Sequence, residues 1–324
     1  MSACDSVSVI ICVHSDKRWD AIFEAVHSVR SQSRPVLETL IVVDHNAELE
    51  RRLEESLPGV TVVPNSQDRG LSGARNTGVA LAKGALLLFL DDDAALEPDW
   101  VREAMKHFGS GKTMGVTSRI VPQWQGIRPF WFPDEFLWVV GCTYEGMRPG
   151  AVRNLIGAAM CVRRDLFSSV GGFNHRLGRS GGRLPMGCEE TELCIRAGAA
   201  FPGSAFIFDA KPCAFHVVGD ERLTVGYFIR RCFAEGKSKA ALAAVAPPSA
   251  ALSTERRYVL SVLPRGVLRG MSAFFHGDIG GLGRASAIIG GFIATLVGYL
   301  SGMGFRKGGR LAHPLVLRGS GEPR

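Results

Sequence analysis

Three consecutive aspartates, Asp91-Asp92-Asp93, follow directly on the apolar run ALLLFL. Carboxylates crowded together at the end of a buried strand disfavour one another's ionisation, so something positive has to meet them. A hard divalent cation is the natural candidate, and oxygen ligands suit Mn2+ and Mg2+ alike. A cation held this way bridges a diphosphate and stabilises it as a leaving group. The competing assignment is a solvated acidic turn in which Asp93 or Asp99 serves the dipole of the next helix. The position of the aspartates, immediately after a buried strand, favours the cation.

Three other groups of residues bear on the same chemistry. In GLSGARNTG (Gly70–Gly78), small residues at a loop-to-helix junction allow close backbone approach, and a helix N-terminus favours phosphate. Arg75 adds a charge for a diphosphate there, although tight helix packing explains the glycines nearly as well. The pattern is neither a Walker A loop nor G-x-G-x-x-G. Glu189, Glu190 and Glu192 open a second helix, where a carboxylate can take a proton from an acceptor hydroxyl or simply favour the helix dipole. His216 completes a metal site with the aspartates, or is a structural histidine.

The elements that must position these residues alternate in type. Val7–Val13 and Leu40–Val43 are short, β-branched runs ending at polar residues, with a helical pattern over Trp19–Val29 between them. Ala47–Leu57 is predicted as a surface helix and Val60–Val63 as a third strand. Leu71–Ala82 is predicted as a helix, Ala85–Leu90 as a fourth strand, and Asp99–Phe108 as a helix opened by Pro98. Continuous apolar strands indicate a buried parallel sheet, so the pattern is α/β and doubly wound, mostly parallel. Ligands of such sheets bind beyond the carboxyl ends of the strands. Asp16, Asp44 and Asp91–Asp93 all fall there. Further on, strands are predicted at Gly115–Val121, Leu155–Val162 and Ala205–Phe208, with His216 beyond the last. Helices are predicted at Arg164–Val170, Glu189–Ala199 and Thr224–Val245, and Pro247-Pro248-Ser249 breaks the chain. Residues 1–250 therefore form one domain, with halves 1–110 and 111–250, and 251–324 form a helical extension.

The chain has 324 residues and a net charge of +7. Ten Lys/Arg against three Asp/Glu fall in 255–324, so that segment carries the whole excess. A neutral body with a basic, apolar tail suggests an anionic membrane surface and not a nucleic acid. Ala285–Phe305 holds 21 uncharged residues, long enough to span a bilayer, but five of them are glycine. An interfacial or re-entrant helical hairpin is favoured over a single span, and a helix packed on the core is the third assignment. The final residues through Arg324 are expected to be a loose tail. The eight scattered cysteines form no C-x-x-C pair. Without a secretory signal, they are expected to be reduced thiols in a cytoplasmic protein at the inner face of the cell membrane.

In order and spacing, these motifs over residues 6–240 resemble family 2 glycosyltransferases of the GT-A fold. SVIICVHSDKRWD, LIVVDHN, RGLSGARNTGVALAKGALLLFLDDDA, NLIGAAMCVRRDLFSSVGGFN, GCEETELCIRAG and RRCFAEGKSK carry the resemblance. It implies an inverting transfer from a nucleotide-sugar, UDP-linked by the match of Asp44 to the family's uracil-contacting aspartate. Asp16, with His14, lies in the loop that touches the nucleoside. Asp91 and Asp93 flank the metal motif, with Asp93 the direct ligand, Asp92 a ribose or sugar contact and His216 a late metal ligand. Glu190 stands at the base position, where the family often has Asp. The stretch GCTYEGMRPGAVRN through GCEETELCIR is similar to prokaryotic enzymes that act on polyprenyl-phosphate-linked sugars, including glucuronosyltransferases. The acceptor is then a lipid-linked or other membrane-proximal glycan. Glu189, Trp124, Trp131, Arg179 and Arg183 are the acceptor-side candidates, and Arg153 with the last two could meet a carboxylate or a phosphate. Two other classes are weighed against this: a nucleotidyltransferase, for which no G-x-G-T-R-type loop follows the first strand, and a non-enzymatic membrane-associated partner protein.

Overall fold

In the computed structural model, which describes residues 6–175, 187–245 and 255–304, the apolar runs build the centre of one sheet. β1 (Val7–Val13) pairs in parallel with β2 (Glu38–Val43), and β3 (Thr61–Pro64) extends the sheet from β2. On its other side β1 pairs in parallel with β4 (Leu86–Asp91), which places Asp91 opposite Cys12. Because successive strand residues point to opposite faces, each strand feeds two helical layers. Val9, Ile11, Leu88 and Leu90 pack in one core with α1 (Trp19–Arg30) and α2 (Ala47–Ser56). Ile10, Leu87 and Phe89 pack in a second core against Ala74 of α3 (Leu71–Leu81). α4 (Trp100–Met105) joins the first core, where the Trp100 indole donates to Ser118 at 2.6 Å. α5 (Arg164–Val170) and α6 (Glu189–Ala200) join the second. The first hundred residues are thus doubly wound as expected.

The following strands make the sheet a mixed one. They are β5 (Ala94–Leu96), β6 (Thr113–Trp124), β7 (Gly150–Val152), β8 (Ala159–Arg163) and β9 (Ala205–Val218). Among the described residues the order is β3-β2-β1-β4-β8-β6-β9-β5, with β7 also on β9. β8 runs antiparallel to β4 and β6, β9 runs parallel to β6, and β5 and β7 run antiparallel to β9. Two sequence expectations shift here. The strand predicted from Leu155 begins at Ala159, because Ile156 and Ala158 give their carbonyls to Thr117 and to the Asp91 amide. The strand predicted to end at Phe208 continues through Val218. Its register against β6 breaks between Asp209 and Cys213, and Pro212, which has no N–H for a ladder, falls in that break. His216 is therefore a strand residue and not one beyond a strand.

After α7 (Val225–Val245), a short helix (Glu255–Arg257) and a wide turn over Tyr258–Val262 lead into α8 (Leu263–Phe275) and α9 (Gly280–Gly304). The two long helices form a hairpin packed on α7. Its glycines allow close backbone approach: a Cβ at Gly298 would overlap the Phe233 carbonyl, and one at Gly281 the Gly270 carbonyl. Below the hairpin lies an aromatic cluster of Phe132, Phe136, Phe228 and Trp131. Tyr258 fixes the hairpin to it, donating to the Glu135 carbonyl at 2.7 Å and accepting from the Trp138 indole at 2.9 Å. The opposite face of α9 is apolar and exposed (Ile289, Ile293, Val297, Leu300), and an 18-residue stretch within Gly280–Met303 has a mean hydropathy of 1.6. Helix α9 is thus both a packed helix and an exposed apolar surface. The seven described cysteines are free, and burial pushes the thiols of Cys12, Cys161, Cys194 and Cys232 up to about 12, so they are poor nucleophiles. Residues 1–5, the Pro247–Ser249 break, and residues 305–324 lie outside the described residues.

A chain of ion pairs joins α7 to the segment before the hairpin. Arg231 meets Glu235 at 3.0 Å, Lys239 meets Glu235 at 3.2 Å and Glu255 at 2.6 Å, and Arg153 meets Glu255 at 2.8 Å. Burial opposes ionisation of Glu235, but Lys239 and Arg231 outweigh it and bring its pKa from 4.5 down to about 2. A carboxylate depressed in this way contributes stability that is fully present above pH 4.5 and is lost as the pH falls towards 2. In Glu235→Gln, thermal midpoints measured from pH 7 to pH 2 should start lower than the parent's and fall less steeply below pH 4.5. Parallel curves would assign the acid sensitivity to other groups.

Candidate active site

The turn between β4 and β5 holds Asp92 and Asp93, and the β5–β9 pairing sets Ala94 opposite His216. The Val217 amide donates to the Asp93 carbonyl at 2.8 Å, which fixes the turn against β9. His216 Nε2 lies 3.1 Å from Asp93 Oδ1, and ligand-type atoms of Asp91, Asp93 and His216 all fall within 4.8 Å of one another. The Asp93 side chain is only 4% exposed and also meets Arg18 at 2.9 Å and Arg222 at 3.3 Å. Burial opposes its ionisation, but His216, Arg18 and Arg222 outweigh it and hold its carboxyl well below the usual range. Asp92 differs. Burial raises its pKa despite Arg18, which donates to Oδ1 at 2.6 Å. Gly141, at φ +85°, lies over the His216 ring, where a Cβ would stand 3.1 Å from Cε1.

On the other side of Asp91 stands Arg75, from α3, with a side chain 2% exposed. It meets Glu190 at 2.8 Å, Glu189 at 3.5 Å and Asp91 at 3.5 Å, and it donates to the Gly157 carbonyl at 3.3 Å. The Phe173 ring lies 5.3 Å from the guanidinium. Desolvation opposes its charge, but Glu190, Asp91 and Glu189 outweigh it and raise its pKa. Arg75 therefore lies beneath the carboxylates, already paired. Glu190, the second residue of α6, has a side chain 16% exposed, whereas Glu189, the first, is buried. The preceding Cys188 takes φ +77°, a strained conformation for a residue with a side chain, and this turns the helix start toward Arg75. Gly157 completes the contact, since a Cβ there would overlap the Glu190 carboxylate.

Among the described residues, five carboxylates (Asp91, Asp92, Asp93, Glu189, Glu190) thus face three guanidinium groups (Arg18, Arg75, Arg222). Two negative charges remain when all are ionised, the charge of one divalent cation. His216 Nδ1 and Asp92 Oδ2 are buried with no hydrogen-bond partner among the described residues. The donor set of two carboxylates and an imidazole suits a metal such as Mn2+, and Asp91, 28% exposed, opens it to solvent.

Other expected positions are brought together unevenly. Asp44 stands at the end of β2, held by Asn65 Nδ2 at 2.7 Å, the Gly70 amide at 2.9 Å and His45 at 2.9 Å. His14 is exposed, and its carbonyl accepts from Asn46. Asp16 is exposed and pairs with Arg52 on α2 at 3.3 Å, and the loop instead reaches the acidic turn through Arg18. Trp124 and Trp131, expected on the acceptor side, are half-buried against Phe132, and Trp131 also packs on Phe228. Trp131 also lies against Gly283 of α9, and the Arg128 guanidinium lies 5.6 Å from the Trp124 ring. Arg153 is committed to Glu255, and Arg179 and Arg183 lie outside the described residues. The sequence did not reveal Arg18, Asn65, Gly157 or Arg222. Arg18 sits in a polar run after a strand, which is a weak signal, and Arg222 lies 129 positions from the aspartate it meets.

Residues 8–171 match glycosyl transferase family 2. The glucosyl-dolichyl phosphate glucuronosyltransferase of Haloferax volcanii is 32% identical over 239 residues, which cover 72% of this chain and 76% of that protein. The succinoglycan biosynthesis protein ExoM of Rhizobium meliloti is 24% identical over 250 residues, 74% of this chain and 75% of that protein. Among solved structures, the mannosyltransferase PcManGT from Pyrobaculum calidifontis, in complex with GDP-Man and Mn2+, superposes with a TM-score of 0.56 at 18% identity. That likeness covers 92% of this chain and 86% of the other. GalNAc-T7 with UDP, GalNAc and Mn2+ superposes at 0.52 with 17% identity, covering 73% of this chain and 50% of the other. At these identities the two structures establish a shared GT-A fold.

Removing the buried Arg75 guanidinium leaves three carboxylates without their common partner. Arg75→Met should cost about 3–5 kcal/mol of unfolding free energy, measured by denaturant titration at pH 7. Adding Glu190→Gln should restore part of it, and no recovery would mean that Arg75 acts mainly through packing.

Proposed function

The chain belongs to glycosyl transferase family 2, and from that membership we propose that it transfers a sugar from a UDP-sugar to a hydroxyl of a lipid-linked glycan, with inversion, at a membrane surface. It is a glycosyltransferase of the GT-A fold, which sets aside the nucleotidyltransferase and non-enzymatic readings. The observation that most supports the finer reading is the position of Arg75, which joins Glu190 at 2.8 Å to Asp91 at 3.5 Å. A base and a cation site on either side of one buried guanidinium are what a single displacement at an anomeric carbon needs.

In that reading Glu190 accepts the acceptor hydroxyl's proton as the new C–O bond forms and the bond to the diphosphate breaks. Arg75 and the close approach at Gly157 fix the direction of its carboxylate, so little reorganisation accompanies the step. A divalent metal held by Asp91, Asp93 and His216 would supply charge stabilisation to the departing UDP. Arg18 and Arg222 hold Asp93 in place for that role, and Asn65 with the Gly70 amide orients Asp44 towards the base of the nucleotide. The name of the Haloferax relative supports a polyprenyl-phosphate-linked acceptor. The exposed apolar face of α9 and the basic residues around the hairpin support a peripheral seat on an anionic bilayer.

Two measurements test this. UDP with Mn2+ should raise the thermal midpoint, by mass action, more than either alone. Asp93→Ala should abolish the metal-dependent part, whereas Glu190→Gln should keep it and lose turnover of UDP-sugars. Turnover unchanged in Glu190→Gln would remove the assignment of the base. For the membrane seat, replacing Ile289, Ile293 and Leu300 together by Glu should release the protein from vesicles containing anionic lipid. Truncating the hairpin would not test this cleanly, because it uncovers the aromatic cluster beneath.

A further inference from the structure

A cavity of about 1260 Å³ lies behind the catalytic helix, between α6, α7, the hairpin and the segment from Phe136 to Ile156. Ordinary small-molecule pockets hold roughly 300–1,000 Å³. Most of the wall is apolar, with Trp138, Leu155, Ile195, Val259 and Phe292 among its residues. Leu296 of α9 also lines it and is 44% exposed, so the cavity opens on the apolar face proposed to meet the bilayer. Among the described residues its charged lining is unbalanced. Arg148, Arg153, Arg231, Lys239 and Arg257 stand against Glu235 and Glu255, leaving three positive charges. One of these basic residues lies at the start of α6, the helix that carries Glu190. Thr191, next to Glu190, belongs to the wall, and the Arg231 guanidinium lies 3.6 Å from the Cβ position of Gly187, just before α6. Arg231 also sits over the Trp138 ring at 5.8 Å, which keeps it at the wall.

We propose that this cavity binds the carrier part of the acceptor: a long, branched apolar chain enters from the α9 face, and the phosphate that ends it is held at Arg231 beside the start of the catalytic helix. This rests on the lipid-linked acceptor proposed above. An apolar wall alone would take any hydrocarbon. The excess positive charge selects a chain ending in an anion, and the neighbourhood of Glu190 places a sugar attached to that phosphate within reach of the base. The ion pairs among Arg231, Glu235 and Lys239 hold these basic side chains in position before the ligand arrives.

The test is equilibrium binding of geranylgeranyl phosphate to the full chain below its micellar concentration, with geranylgeraniol and inorganic phosphate as controls. The phosphate lipid should bind at least about tenfold tighter than the alcohol, and inorganic phosphate should bind weakly. Gly198 lines the cavity, and a Cβ there meets nothing within 4 Å, so Gly198→Phe adds bulk without a clash at its base. It should weaken the phosphate lipid about tenfold and keep the UDP–Mn2+ thermal response, which also shows that it folds. Arg231→Gln should reduce the phosphate lipid to the affinity of the alcohol. Equal binding to the parent and both variants, or equal binding of lipid phosphate and alcohol to the parent, would overturn the proposal. Absence of lipid binding with an intact UDP response would overturn it while leaving the transferase reading in place. Lipid binding with no UDP response would sustain the cavity and remove the UDP donor.

Discussion

Five carboxylates converge where β4 ends and α6 begins, and a sheet of this kind cannot hold them so close without compensation. Their mutual repulsion in a partly buried site would raise their pKa values and loosen the turn. Arg75 meets three of them from below, and Arg18 and Arg222 meet the other two from the side. The rest of the architecture follows from keeping that balance. α3 must pack tightly enough to bury a guanidinium, β9 must run far enough to bring His216 to Asp93, and Gly157 must lack a side chain. Among the described residues the balance is incomplete by two charges, which is the charge of one divalent cation.

The two halves of the sheet divide the work. The parallel strands β3, β2, β1 and β4 end in polar loops on one edge, and Asp44 and Asp91–Asp93 meet there because parallel strands point their carboxyl ends the same way. The mixed half does something different. Antiparallel β5 and long, bulged β9 fold back over the acidic turn, and β8 places Gly157 beside it. A purely parallel continuation would have left Asp93 without His216 and Glu190 without a fixed approach. The break in β9 at Asp209–Cys213 lets one strand serve β7 at one end and β5 at the other.

The C-terminal hairpin completes the body instead of trailing from it. It roofs an aromatic cluster, closes one wall of a large cavity through Phe292, Thr295 and Tyr299, and leaves its outer face apolar. Its glycines are placed where α7 and α9 come closest. A helix whose small residues face protein and whose large apolar residues face outward is suited to lie between a folded body and a lipid surface.

The sequence determined much of this by local pattern. Apolar runs of four and six residues, ending just before Asp44 and Asp91, specified buried strands, and strand residues alternate between faces whatever surrounds them. The order of motifs then identified the family, and the match of Asp44, Asp91–Asp93, Glu190 and His216 to it located the candidate site. The partners of those residues were not legible. Arg75 could be read for a diphosphate, yet it lies beneath the carboxylates, because whether a guanidinium faces a ligand or its own protein depends on burial that sequence spacing does not carry. Arg18 and Arg222 reach Asp93 from positions 75 residues before and 129 after it. The partner of Trp131 on α7, Phe228, was equally invisible, because it is set by how α7 packs. Local propensity and periodicity fix what each segment is, whereas charge compensation and close packing depend on which segments meet, and only the tertiary structure decides that.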